Sequence, residues 1–231
     1  MARTVDVAAH ERRRNQFLDA AQRLIESRGY EQMSVRDLLD EAGASRGAFY
    51  HYFEAKQDLL AAVVDRLVDA IIALLDPIAE DPDLSAREQM EQVFAALSAR
   101  DGQELEAVVA TLRVWYSDGN VLVRQKFRTT IIDRLAVVLA GIVARGQREG
   151  AFAVPDAQQA ALVLATLLQD LNDALADTLL LADLTAAERI VEAHVWAIGR
   201  VLGIPDGSTT VQRLWLTTST LCPSGSRTNA P

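Results

Sequence analysis

The chain has 231 residues, is 50% hydrophobic and 24% charged, and carries a formal net charge of −9, the balance of a globular protein of one large or two small domains with a core of its own. Its single cysteine, Cys222, excludes an intramolecular disulfide framework and a cysteine-cluster metal site. The longest apolar run, 135–144, is too short to span a bilayer, and the N-terminus turns at once to His10-Glu11-Arg12-Arg13-Arg14, so a cytoplasmic protein with no membrane partner is expected.

The charge is unevenly placed. Residues 1–56 hold nine basic and nine acidic side chains, a net of zero, so the remaining 14 basic and 23 acidic ones give residues 57–231 the whole −9. An acidic body is kept away from polyanions, and only the neutral head is able to approach one.

The apolar periodicity is helical almost throughout. Phe17, Ala20, Ala21, Leu24 and Ile25 predict a first helix over 11–28, ended by Gly29. Ser34, with Asp37 three residues on, caps a short helix that stops at Ala42-Gly43, and Ser45 caps another that runs to Phe53. A long helix follows from Lys56 to Leu75 and is expected to stop before Pro77, leaving 78–85 as a loop. Further helices are predicted over 86–99, 104–117, 122–149, 156–181 and 186–202, with breaks at Asp118-Gly119-Asn120, Gly150 and Asp183. The segment 205–231 is rich in Ser, Thr, Gly and Pro and reads as a disordered tail around an apolar patch, Leu214-Trp215-Leu216.

The pair of short helices around Gly43 has the proportions of a helix-turn-helix. In such a unit the second helix enters the major groove N-terminus first, its amides and positive dipole end toward phosphates. Ser34 and Ser45 offer hydroxyls to phosphate oxygens, and Arg46 stands where a guanidinium reaches guanine bidentately. Gly47 and Ala48 keep the next surface small, Tyr50, His51 and Tyr52 place donors along the groove, and Lys56 adds a cation. Phe49 and Phe53 read as core. Short helix pairs with a glycine turn also occur in helical proteins that bind no DNA.

Gly29-Tyr30, Met33-Ser34-Val35-Arg36-Asp37-Leu38, the run from Glu41 to Phe53, Lys56 and Leu59-Leu60 together resemble the N-terminal domain of the TetR family of bacterial transcriptional regulators. The resemblance implies an all-α fold: a three-helix DNA-binding domain with a helix-turn-helix, then a helical ligand-binding and dimerisation domain, about nine helices in all. It divides the chain into an N-terminal arm (1–10), a DNA-binding domain (11–71, motif 34–53), an effector and dimer domain (72–204) and the tail (205–231). It implies DNA contacts from Ser34, Arg36, Ser45, Arg46, Gly47, Tyr50, His51, Tyr52 and Lys56, with Tyr52 where histidine is frequent and Ala48 where threonine is. Arg12, Arg13 and Arg14 would extend the backbone contact or simply solvate the start of the first helix.

The partners so implied are double-stranded operator DNA, a partly apolar small-molecule effector and a second copy of the chain. The last two helices carry broad apolar faces, Leu162, Val163, Leu167, Leu171, Leu175 and Leu179 on one and Ile190, Val191, Val195, Ile198 and Leu202 on the other, suited to a two-fold four-helix interface. Candidate effector contacts are Arg113, Trp115, Tyr116, Gln169, Asn172 and Asp173. No cofactor, metal or catalysis is expected: His10, His51 and His194 are scattered, and no nucleophile elbow or phosphate-binding glycine loop occurs. The alternatives are a helical protein-interaction module and a transcriptional activator on the same fold.

Overall fold

A computed structural model describes residues 7–98 and 105–204. Among these residues there are nine α-helices, one 3-10 turn and no strand: α1 (Val7–Arg28), α2 (Val35–Ala42), α3 (Arg46–Tyr52), α4 (Lys56–Glu80), α5 (Ala86–Ser98), α6 (Leu105–Trp115), the turn Asp118–Asn120, α7 (Val121–Arg148), α8 (Ala157–Leu181) and α9 (Leu184–Val201). None is long and apolar enough to cross a membrane. The expected tail at 205–231, with Leu214-Trp215-Leu216 and Cys222, lies outside the described residues.

Local chemistry sets most helix ends. Ser34 and Asp37 form a reciprocal capping box at α2, and Gly43 closes that helix in the left-handed conformation at φ 55°. Asp156 caps α8 by accepting from the amides of Gln158 and Gln159, and Asp183 caps α9 through Ala186.

Two boundaries differ from the expectation. Helix α1 starts at Val7, so residues 7–10 belong to it rather than to an arm, and His10 packs against α3 through a ring contact of 4.6 Å to Tyr52. Helix α4 passes through Pro77 to Glu80 instead of stopping before it. Proline removes one hydrogen bond there, but Ile78 and Ala79 pack on the core and the Ala79 carbonyl accepts from Gln89 Nε2 at 2.9 Å. Tertiary packing holds the last turn in place.

The described residues pack as two units, one of 7–68 with Glu106–Arg128, the other of 69–98 and Leu105 with 129–204. The first therefore includes a stretch far beyond residue 71, where the sequence reading drew its boundary. Asn120, only 1% exposed, is the reason. Its Oδ1 accepts from the Tyr30 amide at 2.9 Å, and its Nδ2 donates to the carbonyls of Ile25 (3.3 Å) and Val114 (3.0 Å). Beside it the Glu31 amide donates to Gly119 O at 3.0 Å. Gly29 sits at φ 84°, and a Cβ there would meet the Gly119 backbone at 3.2 Å, so this approach requires glycine.

In the second unit α5, α7, α8 and α9 enclose a continuous apolar core that includes Met90, Phe94, Leu139, Ile142, Leu164 and Ile198. Of the apolar faces expected on the last two helices, Leu171, Leu175, Val191, Val195, Ile198 and Leu202 are buried within this core. Leu162, Val163 and Trp196 are exposed.

Candidate nucleic-acid interface

Helix α3 is anchored from one side by aromatic rings. Phe17 and Phe49 are wholly buried with centroids 5.9 Å apart, and Phe53 lies 5.6 Å from Phe49 and 6.1 Å from Phe17. The two contacts of Phe17 are edge-to-face and that of Phe49 with Phe53 is tilted, and together they fix the rotation and the depth of so short a helix. The other side carries Arg46, Gly47, Tyr50 and His51, all exposed, at a spacing that lines one helical stripe. Helix α3 contains no acidic residue.

Within that stripe the Arg46 guanidinium carbon lies 5.8 Å from the Tyr50 ring centroid, which keeps the side chain extended along the face. A Cβ built at Gly47 would meet nothing within 4 Å. The protein's own packing therefore gives no reason for a glycine there. Ser45 is exposed, and its hydroxyl accepts from the Ala48 amide at 3.2 Å as the N-cap of α3. Tyr52 is half-buried beside His10 and Phe17.

Ser34, Arg36 and Lys56 stand in more committed surroundings. The Ser34 hydroxyl donates to Asp37 Oδ2 at 2.6 Å and accepts from the Asp37 amide at 3.1 Å. These bonds hold the Asp37 carboxyl below the usual carboxylate range. Arg36 is exposed and only loosely paired with Asp40 at 3.9 Å. Lys56 donates to the Tyr30 carbonyl at 2.6 Å with its ammonium 4.1 Å from the Tyr30 ring centroid, and burial lowers its pKa. Two ammonium protons remain for a phosphate.

Arg13 and Arg14 work inside the head. Arg13 donates to Gln16 (2.6 Å) and to the C-cap carbonyl of Gly43 (3.3 Å), and Arg14 lies 5.8 Å from the Phe53 ring centroid. His10, 5.6 Å from His51 by ring centroids, borders the exposed face although the sequence pattern does not mark it. Only helical periodicity carried back to Val7 would have placed it there.

The candidate effector contacts are dispersed. Arg113 and Asn172 are exposed and Tyr116 is half-buried. Gln169, buried, donates to Asp173 at 3.0 Å within α8. Trp115, edge-on to Phe127 at 5.5 Å, lines a cavity of about 450 Å³ in the first unit. The walls of that cavity come from α1, α4, α6, the 3-10 turn and the start of α7. Arg113, Tyr116, Gln169, Asn172 and Asp173 are not among its lining residues, whereas Gln22, Ile25, Glu26 and Asn120, which the sequence reading passed over, are. Among the described residues no group of His, Cys, Asp and Glu is placed to hold a metal ion.

Residues 17–63 match the family model described as bacterial regulatory proteins, tetR family. The chain is similar to the HTH-type transcriptional regulator PksA of Bacillus subtilis, 32% identical over 108 residues, which are 47% of this chain and 50% of that protein. It is also similar to the HTH-type transcriptional regulator EthR of Mycobacterium tuberculosis, 39% identical over 74 residues, 32% of this chain and 34% of that one. The chain thus spans half the length of the first relative and a third of the second. Among solved structures, RolR in complex with the ligand resorcinol superposes with a TM-score of 0.59 at 18% identity, covering 90% of this chain and 95% of that one. At that identity the fold is what they share.

Proposed function

We propose that this chain, which belongs to the TetR family of transcriptional regulators through its N-terminal domain, is a cytoplasmic repressor that binds a palindromic operator as a homodimer and leaves it when a small molecule binds. It is a DNA-binding regulator, not an enzyme. The observation that carries the operator reading is the outer face of α3. It is free of acids, it presents Arg46, Tyr50 and His51, and it keeps at Gly47 a glycine that no internal contact demands. A surface made small without an internal reason fits an external partner that approaches closely. The neutral head on an acidic body fits a polyanion engaged at one end only.

Two copies joined through α8 and α9 would cover the exposed Leu162, Val163 and Trp196. They would also set two recognition helices roughly 34–36 Å apart, one turn of duplex. Release follows from linkage: an effector that favours another separation of the heads lowers operator affinity by its differential affinity for the two states. The ring of Trp115, in the wall of a cavity of the first unit, supplies a surface for such a ligand. A solved neighbour of the same fold that holds resorcinol supports the same reading.

The test is selection of bound duplexes from a random pool, followed by titration of the winner at two salt concentrations. A palindromic consensus whose log affinity falls steeply and linearly with log salt is the expected result. A folded dimer that enriches no sequence would overturn the operator reading and favour a protein-interaction module.

A further inference from the structure

The cavity beside Trp115 has a composition that selects its occupant. Apolar side chains, among them Ile25, Val63, Leu67 and Val114, make most of its wall, and about 450 Å³ is within the range of small-molecule sites. Its polar groups are mostly spent. Asn120 gives Oδ1 to the Tyr30 amide and Nδ2 to two carbonyls. Gln22 accepts from Arg66 Nη2 at 2.9 Å and donates to Glu26 at 3.0 Å. Arg66 is itself held by Asp19 at 2.6 Å and does not line the cavity.

Besides the hydroxyl of Thr111, the remaining polar lining group and the only charged one is a carboxylate. Glu26 is exposed at the edge of the cavity, only one of its oxygens takes the Gln22 bond, and no lining residue is basic. A carboxylate has about four acceptor sites and no donor when ionised. The site therefore offers acceptors and an aromatic face, and it asks the ligand for donors and positive charge. An anion would meet repulsion and few donors.

We propose that this cavity binds a mostly apolar, flat molecule carrying one ammonium group, with the ring system between Trp115 and the aliphatic wall and the ammonium at Glu26. Such an occupant touches Gln22, Ile25 and Glu26 of α1, the helix on which α3 is packed through Phe17, and it borders Asn120, which holds the Tyr30 turn. The inference rests on the regulator reading in treating the occupant as an effector. Its test uses no DNA, so its failure would leave the operator reading standing.

The experiment is a ligand-observed NMR titration of the full chain with three probes of one shape: 1-naphthylmethylammonium, 1-naphthalenemethanol and 1-naphthoate. The cation should bind saturably and about tenfold or more tighter than the carboxylate, the worth of one charge-assisted hydrogen bond. Glu26→Gln should weaken the cation about tenfold and leave the alcohol unchanged. Ala110→Phe, at an exposed lining position, should weaken both by filling the space. Thermal melts of both variants would show that the fold is retained. Naphthoate binding as tightly as the cation, or cation binding indifferent to Glu26→Gln or to Ala110→Phe, would overturn the proposal.

Discussion

Replacing Gly47 by alanine separates the needs of the fold from those of the partner. Gly47 is the second residue of α3, its φ lies outside the left-handed region, and an added Cβ meets nothing within 4 Å. Neither strain nor clash opposes the methyl group. What remains is the lower backbone entropy of alanine in the unfolded chain, which favours the folded state by about 0.5 kcal/mol, near the low end of measured glycine-to-alanine gains. For a chain of this size that is a rise in Tm of roughly 1–2 °C. In the proposed operator complex the same methyl would stand where the duplex approaches, and overpacking a tight interface costs about 1–3 kcal/mol, roughly a 5- to 150-fold loss of affinity. Calorimetric melting and fluorescence-anisotropy titration of the selected operator would measure the two effects on one preparation. A Gly47→Ala protein that melts lower, or that binds the operator as tightly as the parent, would refute the argument that this glycine serves an external surface.

Other substitutions test the neighbouring claims. Arg46→Ala should cost about 1–3 kcal/mol at the cognate site and relax preference at one base pair; equal loss on every sequence would remove its base-reading role. Lys56→Ala should weaken all duplexes alike and lower the salt slope by about one, with an added drop in Tm because the Tyr30 carbonyl loses its 2.6 Å donor. Asn120→Ala strands the Tyr30 amide and removes one of the donors to the Ile25 and Val114 carbonyls, which keep those from Gly29 and Ser117, and should destabilise by roughly 1–3 kcal/mol in denaturant titrations; no measurable change would mean the Tyr30 bond is not made. Asp37 has a folded pKa lowered from 3.8 by its bonds to Ser34, so its contribution is present above that value and is lost as pH falls through the folded one. The melting difference between the parent and Asp37→Ala should therefore be steady near neutrality and shrink below about pH 4; a gap that stays open in acid would assign the effect to something other than the carboxylate.

What the sequence made legible follows from range. The caps at Ser34 and Ser45, the stop at Gly43 and the breaks at Gly150 and Asp183 were readable because each depends on groups within four residues. The burial of Phe49 and Phe53 and the exposure of Arg46 and Tyr50 were readable from helical period. Pro77 was misjudged because local propensity opposes a helix there, whereas the packing of Ile78 and Ala79 and the Gln89 bond come from elsewhere in the chain. Asn120 and the cavity were invisible for the same reason. A lone asparagine in an Asp-Gly-Asn turn reads as a breaker, and nothing near it in sequence reveals the carbonyl of Ile25. The polar residues proposed from helix faces were drawn from 113–173, but the wall beside Trp115 draws on Gln22 and Glu26, which local reading assigns to a solvated face of α1.

During synthesis the head emerges before the residue that completes it. Asn120 meets Tyr30 and Ile25 across separations of 90 and 95 residues, an interval of roughly 5–20 s at ribosomal speeds of about 5–20 residues per second. Until then the Tyr30 amide lacks its side-chain acceptor and the Ile25 carbonyl has only the Gly29 amide at the C-terminal end of α1, the helix on which α3 is seated through Phe17. A nascent or prematurely ended chain thus carries an α1–α3 unit without the Asn120 bond. The contacts that finish the seat of α3 arrive only with the end of α6 and the start of α7, the same segment that supplies part of the wall of the Trp115 cavity, so under the proposed operator reading the reading face and the cavity are completed together.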